Sequence, residues 1–94
     1  MEREFHKLVT VSSSKEAQIK PLPGKRTYLL IENRSAGAVY LNYDTHADST
    51  NGIEIAAGGL YEREETAPQN EIFIIGTQAN EQRLNVTEGY RDNR

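Results

Sequence analysis

The sequence predicts an all-β domain, a small antiparallel β-sandwich or jelly-roll-like fold of about seven strands with an extended N-terminal segment. Three observations predict it. Apolar and polar residues alternate in short runs, no window keeps apolar residues at i, i+3, i+4 and i+7 for three helical turns, and Gly, Pro and Asn turns recur every 8 to 14 residues or so.

Phe5 to Ser12 is the first strand, with Phe5, Lys7, Val9 and Val11 on one face and His6, Leu8 and Thr10 on the other. Ser12 to Gln18 reads as polar and flexible. Pro21-Leu-Pro23-Gly24 cannot sit inside a ladder, because proline lacks an N–H and the glycine suits a turn with φ > 0. Thr27 to Asn33 is apolar on both faces, as a central strand is, and Val39 to Tyr43 returns beside it after the turn residues Asn33 to Gly37. Asp44 to Gly52 is a polar loop closed by Asn51-Gly52. Ile53 to Ile55 and Leu60 to Glu64 form a further hairpin around Ala56-Ala-Gly-Gly59. Glu71 to Thr77 is apolar on both faces, Arg83 to Glu88 alternates, and the polar chain from Gly89 is expected to fray. The expected core is Val9, Val11, Leu29, Ile31, Val39, Leu41, Ile53, Ile55, Leu60, Ile72, Ile74, Leu84 and Val86. Residues 1–20 are expected as an N-terminal arm or first edge strand, 21–89 as the sandwich and 90–94 as a flexible tail.

The chain has 94 residues and no cysteine, which excludes disulfide scaffolds, thiolate metal sites and cysteine nucleophiles within it. Twenty Leu, Ile, Val and Phe residues make a thin core, and a thin core in so short a chain favours burial against a partner. A formal charge of −3 with no cluster of basic residues argues against a nucleic-acid groove. The longest apolar run, Ile72 to Ile75, is far short of a membrane helix, and the N-terminus lacks the apolar run of a signal peptide, so synthesis in the cytoplasm is expected.

His6 and His46 are the two candidate bases. His6 reads as a surface strand residue, and Asp44-Thr-His46-Ala-Asp48 reads as turn chemistry ahead of a metal site, since Asp, Asn, Ser and Thr bond their own backbone. Asp44, Asp48, Asn51 and Glu54 offer hard oxygen ligands, but not at the alternate spacing of an EF-hand. Glu62, Glu64 and Glu65 are sequence neighbours, with Glu62 and Glu64 on one strand face, a pattern of edge protection ahead of a catalytic pair. No catalytic residue, metal or cofactor is expected, and no enzymatic activity. Five tyrosines against two phenylalanines suit half-wet contact positions, so Phe5, Val9, Tyr40, Tyr43, Tyr61, Glu62 and Glu64 are the expected partner contacts.

The series Arg26-Thr-Tyr-Leu-Leu-Ile-Glu-Asn33, Ala38-Val-Tyr-Leu-Asn42, Asn51-Gly-Ile-Glu-Ile-Ala-Ala-Gly-Gly59, Glu71-Ile-Phe-Ile-Ile75 and Leu84-Asn-Val-Thr-Glu-Gly89 resembles a loose pattern in small virion proteins of tailed bacteriophages. The resemblance spans residues 26–89 and carries no active site. It implies a jelly-roll-like capsid decoration or cement protein, located in the virion, that binds the major capsid protein or another virion protein. A homo-oligomer is expected with it, a trimer by preference, with neither nucleic acid nor membrane as partner. The alternative is a receptor- or carbohydrate-binding module of a tail fibre or baseplate, with Tyr40, Tyr43, Asp44 and His46 lining a loop-end site.

Overall fold

A computed structural model describes residues 2–64 and 67–91 and holds eight strands, all antiparallel. They are β1 (Glu2–Val11), β2 (Glu16–Ile19), β3 (Lys25–Asn33), β4 (Val39–Tyr43), β5 (Ile53–Ile55), β6 (Leu60–Glu64), β7 (Ile72–Gly76) and β8 (Gln82–Arg91). β1 pairs with β8, β2 with β7, β3 with β6 and β4 with β5, the pairing of one long hairpin. Rolling that hairpin adds β3–β8 and β4–β7 and yields two four-stranded sheets, β1-β8-β3-β6 and β2-β7-β4-β5. This is the strand order of a jelly roll.

The eighth strand is β2, in a stretch read from sequence as partly flexible. Ser12 and Lys15 exchange backbone hydrogen bonds at 3.0 and 3.3 Å, turning the chain sharply from one sheet to the other, and Ile19 is fully buried. β2 has four residues and a single large aliphatic, too little alternation to register in sequence. Residues 2–11 are an edge strand paired with β8 over its whole length.

The core between the sheets is Val11, Ile19, Leu29, Ile31, Val39, Leu41, Ile55, Ile72, Ile74, Leu84 and Val86. Each such burial contributes about 1.5–3 kcal/mol before entropy is subtracted. Two expected core members differ. Leu60 is 61% exposed, because Tyr61 packs on the core and so fixes the other parity of β6 outward. Ile53 is 41% exposed on the edge strand β5.

Both ends of the sandwich close on buried polar side chains. At one end Arg26, Glu88 and Tyr90 are buried together. Arg26 Nη2 lies 2.9 Å from Glu88 Oε2, Arg26 Nη1 donates to Pro68 O (2.8 Å) and Asn70 O (3.0 Å), and the Tyr90 hydroxyl donates to Glu88 Oε2 (2.6 Å) while accepting from Leu22 N (3.1 Å). Burial and then the Glu88 hydrogen bond push the Tyr90 hydroxyl above its ordinary pKa. Sequence reasoning expected fraying from Gly89; β8 instead continues through a fully buried Tyr90 to Arg91, and residues 92–94 of the expected tail lie outside the described residues. At the other end Gln82 Oε1 accepts from Thr77 N (2.8 Å) and Gln78 N (3.1 Å), and its Nε2 donates to Ser35 Oγ, Gly37 O and Ala38 O. Asn33 Nδ2 donates to Gly37 O, Ile55 O and Ala56 O at 2.9 to 3.1 Å.

Candidate interaction surface

The outward face of the β1-β8-β3-β6 sheet is assembled by strand register. One row across it reads Leu8, Asn85, Glu32, Leu60; the next reads His6, Thr87, Leu30, Glu62; the third reads Glu4, Gly89, Tyr28, Glu64. Leu8 and Leu60, each 61% exposed, stand on the two edge strands, with half-buried Leu30 between the rows' ends. Four glutamates, Glu4, Glu32, Glu62 and Glu64, share this face with those aliphatics. A shallow hollow of about 400 Å³ opens between them, lined by His6, Lys7, Leu8, Glu32, Asn85, Val86 and Thr87.

The polar groups of the face are mutually oriented. His6 Nδ1 is 3.0 Å from Thr87 Oγ1 and His6 Nε2 is 3.0 Å from Glu4 Oε1. Tyr28 OH donates to Glu62 Oε2 at 2.5 Å, and that bond, ahead of desolvation and the glutamate charges, pushes the tyrosine up to about 12. Arg34 Nη2 donates to Glu32 Oε2 at 3.0 Å. These bonds fix the orientation of side chains that share the face with the leucines, and fixed side chains lower the ordering cost of docking.

The structure places the seven sequence-predicted contacts in four settings. Glu62 and Glu64 lie on the outward face just described. Phe5 and Val9 share the other side of β1; Phe5 is 38% exposed and meets Tyr90 edge-on at 6.1 Å, and Val9 packs against the core. Tyr40 lies on the second sheet, its hydroxyl 3.4 Å from Glu54 Oε1. Tyr43 and Tyr61 share a hydroxyl hydrogen bond between the sheets, and burial followed by that bond raises Tyr43 well above the usual tyrosine range. Glu65 lies outside the described residues. Sequence reasoning missed Leu8, Leu30, Leu60 and Tyr28 as surface members. The parity of Glu62 and Glu64 was the available signal, since Leu60 stands in phase with them.

The 44–52 loop folds back on its own sheet. Asp44, at φ 61°, accepts from Asn70 Nδ2 (2.5 Å) and Glu71 N (3.2 Å), and Asp48 Oδ1 accepts from Thr50 N and Asn51 N. His46 Nδ1 is 2.5 Å from Glu16 Oε1, and its ring meets Phe73 edge-on at 5.4 Å. Tyr40, Tyr43, Asp44 and His46 thus each have a separate intramolecular partner.

No family model matches the chain, and no curated protein matches it. Solved structures do. A de novo designed double-stranded β-helix, determined by NMR in solution, is 19% identical, with a TM-score of 0.61 over 89% of this chain and 97% of that one. A structure described as Bacillus endospore appendages that form a family of disulfide-linked pili is 16% identical, with a TM-score of 0.61 over 99% of this chain and 88% of that one. At these identities the likeness is one of fold.

Proposed function

We propose that the chain is a structural assembly subunit that docks on a larger protein shell through the outward face of its β1-β8-β3-β6 sheet, in the capsid-decorating manner that the sequence resemblance implies. The carrying observation is the pairing of two strongly exposed leucines with four glutamates on one rigid face. Exposed apolar anchors combined with oriented polar groups are a composition of protein interfaces, and here the two leucines flank the polar groups at the sheet's two edges. The glutamates select a basic counterpart, so the partner is a shell protein surface presenting lysine or arginine around an apolar depression.

The likeness to a pilus structure supports a building-block role without specifying it. Disulfide linkage belongs to that assembly; these 94 residues hold no cysteine and so form no disulfide. The carbohydrate-binding alternative needs Tyr40, Tyr43, Asp44 and His46 to converge on one site, and each bonds a different partner within the chain.

Co-sedimentation with assembled tailed-phage heads tests the proposal. The wild-type chain is expected to pellet with heads, less so as salt rises, and Leu60→Asp is expected to weaken that binding at least tenfold with the melting temperature unchanged. Absence of co-sedimentation, or equal binding by Leu60→Asp, would overturn it.

A further inference from the structure

The edge strand β1 runs ten residues and bonds to β8 on one side only, with the other side open from Glu4 to Thr10 among the described residues. Long open edges recruit further strands unless bulges, prolines, coverings or unmatched charged side chains blunt them. β1 has an unbroken register against β8 and no proline, and the charge of its inward-parity lysine, Lys7, is met within the chain 3.9 Å from Glu88 Oε1.

We propose that β1 pairs antiparallel with β1 of a second copy about a two-fold axis at His6, joining the two outward faces into one eight-stranded sheet. The inference rests on the assembly-subunit reading and names its first partner.

Backbone geometry comes first. Ser12 exchanges both of its backbone groups with Lys15, away from β8. Alternation along a strand then turns the N–H and C=O of Glu4, His6, Leu8 and Thr10 toward the same open side. Around a two-fold axis normal to the sheet, only residues of equal parity face each other, because outward side chains must meet outward side chains.

Charge then selects the register. Centring on Glu4 opposes two glutamates, centring on Phe5 opposes Arg3 with Lys7, and centring on Lys7 opposes two lysines. Centring on Leu8 drives the partner strand onto Ser12, whose backbone is already engaged by the Lys15 turn. Centring on His6 opposes Glu4 with Leu8, Phe5 with Lys7 and Arg3 with Val9. No carboxylate faces a carboxylate and no lysine or arginine faces another. Each Glu4 already contacts His6 in its own chain and falls diagonal to His6 of the second copy. The open backbone groups of Glu4, His6 and Leu8 are then all paired, and Phe5 gains cover from the partner strand.

The absence of cysteine makes the register directly readable. His6→Cys places one thiol opposite itself across a hydrogen-bonded pair, within disulfide reach. Under mild oxidation this variant is expected to cross-link to a covalent dimer much faster than Glu4→Cys or Leu8→Cys alone, whereas an equimolar mixture of those two cross-links to each other. Sedimentation of the wild-type chain up to millimolar concentration is expected to show a reversible 10.6 kDa monomer to dimer equilibrium. His6→Lys and His6→Asp are each expected to remain monomeric, and mixing them restores the dimer. A wild-type monomer throughout, a trimer, or cross-linking indifferent to position overturns the pairing. None of these results touches head binding through Leu60, so the two readings fail separately.

Discussion

The same two central strands, β3 and β8, close the sandwich at both ends, and they do it with opposite chemistry. Near the start of β3 and the end of β8 sit a buried guanidinium, a carboxylate and a phenol; at the far ends of the same strands sit two carboxamides, Asn33 and Gln82. Both sets satisfy loop backbone. Arg26 reaches the carbonyls of Pro68 and Asn70, while Gln82 reaches the amides of Thr77 and Gln78 and the carbonyls of Gly37 and Ala38. The difference lies in what removal leaves behind. A neutral amide lost leaves unpaired backbone dipoles, whereas half of an ion pair lost leaves a buried charge.

The largest expected effect is therefore at the charged end. Glu88→Leu strands Arg26 and is expected to destabilise by about 3–5 kcal/mol, a fall in melting temperature of roughly 15 °C or more by thermal denaturation. The double variant Arg26→Met with Glu88→Leu is expected to recover part of that loss, because it removes both charges while leaving the Pro68 and Asn70 carbonyls without their donor. If the double variant is as unstable as the single, the ion pair contributes net stability and the distinction between the ends disappears.

Next comes the amide end. Gln82→Ala leaves the Thr77 and Gln78 amides without their acceptor, and about 2–3 kcal/mol of destabilisation by denaturant titration is expected. No second substitution restores it, since the unpaired groups are backbone. Gly76→Ala tests the same end by volume: a Cβ there would lie 2.2 Å from Gln82 Oε1 and 2.9 Å from Ser12 Cα, for an expected loss of about 1–3 kcal/mol.

A smaller effect separates the ends by pH. Tyr90, Tyr43 and Tyr28 have raised pKa values and lie toward the charged end. A phenol raised on folding stabilises fully below its unfolded pKa near 10 and loses that stabilisation as pH climbs through its folded value. Thermal midpoints are expected to decline above about pH 10, and Tyr90→Phe to flatten part of that decline at a cost of about 1 kcal/mol near neutrality. The smallest effect is at the rim of the amide end. The Lys15 hydrogen bond, its first cause, lowers the Glu81 pKa, so its contribution is present above pH 4.5 and fades below it. Glu81→Gln is expected to give the smallest lowering of the midpoint at pH 7 in this series and none once the pH is well below 4.5.

The fold class was legible in the sequence because alternation and turn residues are local signals. Leu29, Ile31, Val39 and Leu41 announced a two-sheet core by parity alone, and all four are buried. What was illegible depends on pairing. Leu60 reads as core until Tyr61 is seen to hold the inward position, and β2 becomes visible only against β7. Arg26 and Glu88 are 62 residues apart, so nothing short of the β3–β8 register brings them together and makes a charged residue a buried one. The outward face escaped for the same reason: Leu8, Leu30 and Leu60 belong to three strands, and their common surface exists only once β8 lies between β1 and β3.

The register Glu2 with Arg91 brings the first and last described strand positions side by side at the charged end. Peptide joined there needs only a short bridge to close the backbone into a ring. New termini cut at Ala57-Gly58, an exposed turn whose glycine has 4 Å of open space around its missing Cβ, would then leave every strand intact. Such a circular permutant would carry its new ends at the amide end, so cargo fused at that cut and cargo fused beside Glu2 or Arg91 would project in opposite directions from the same subunit.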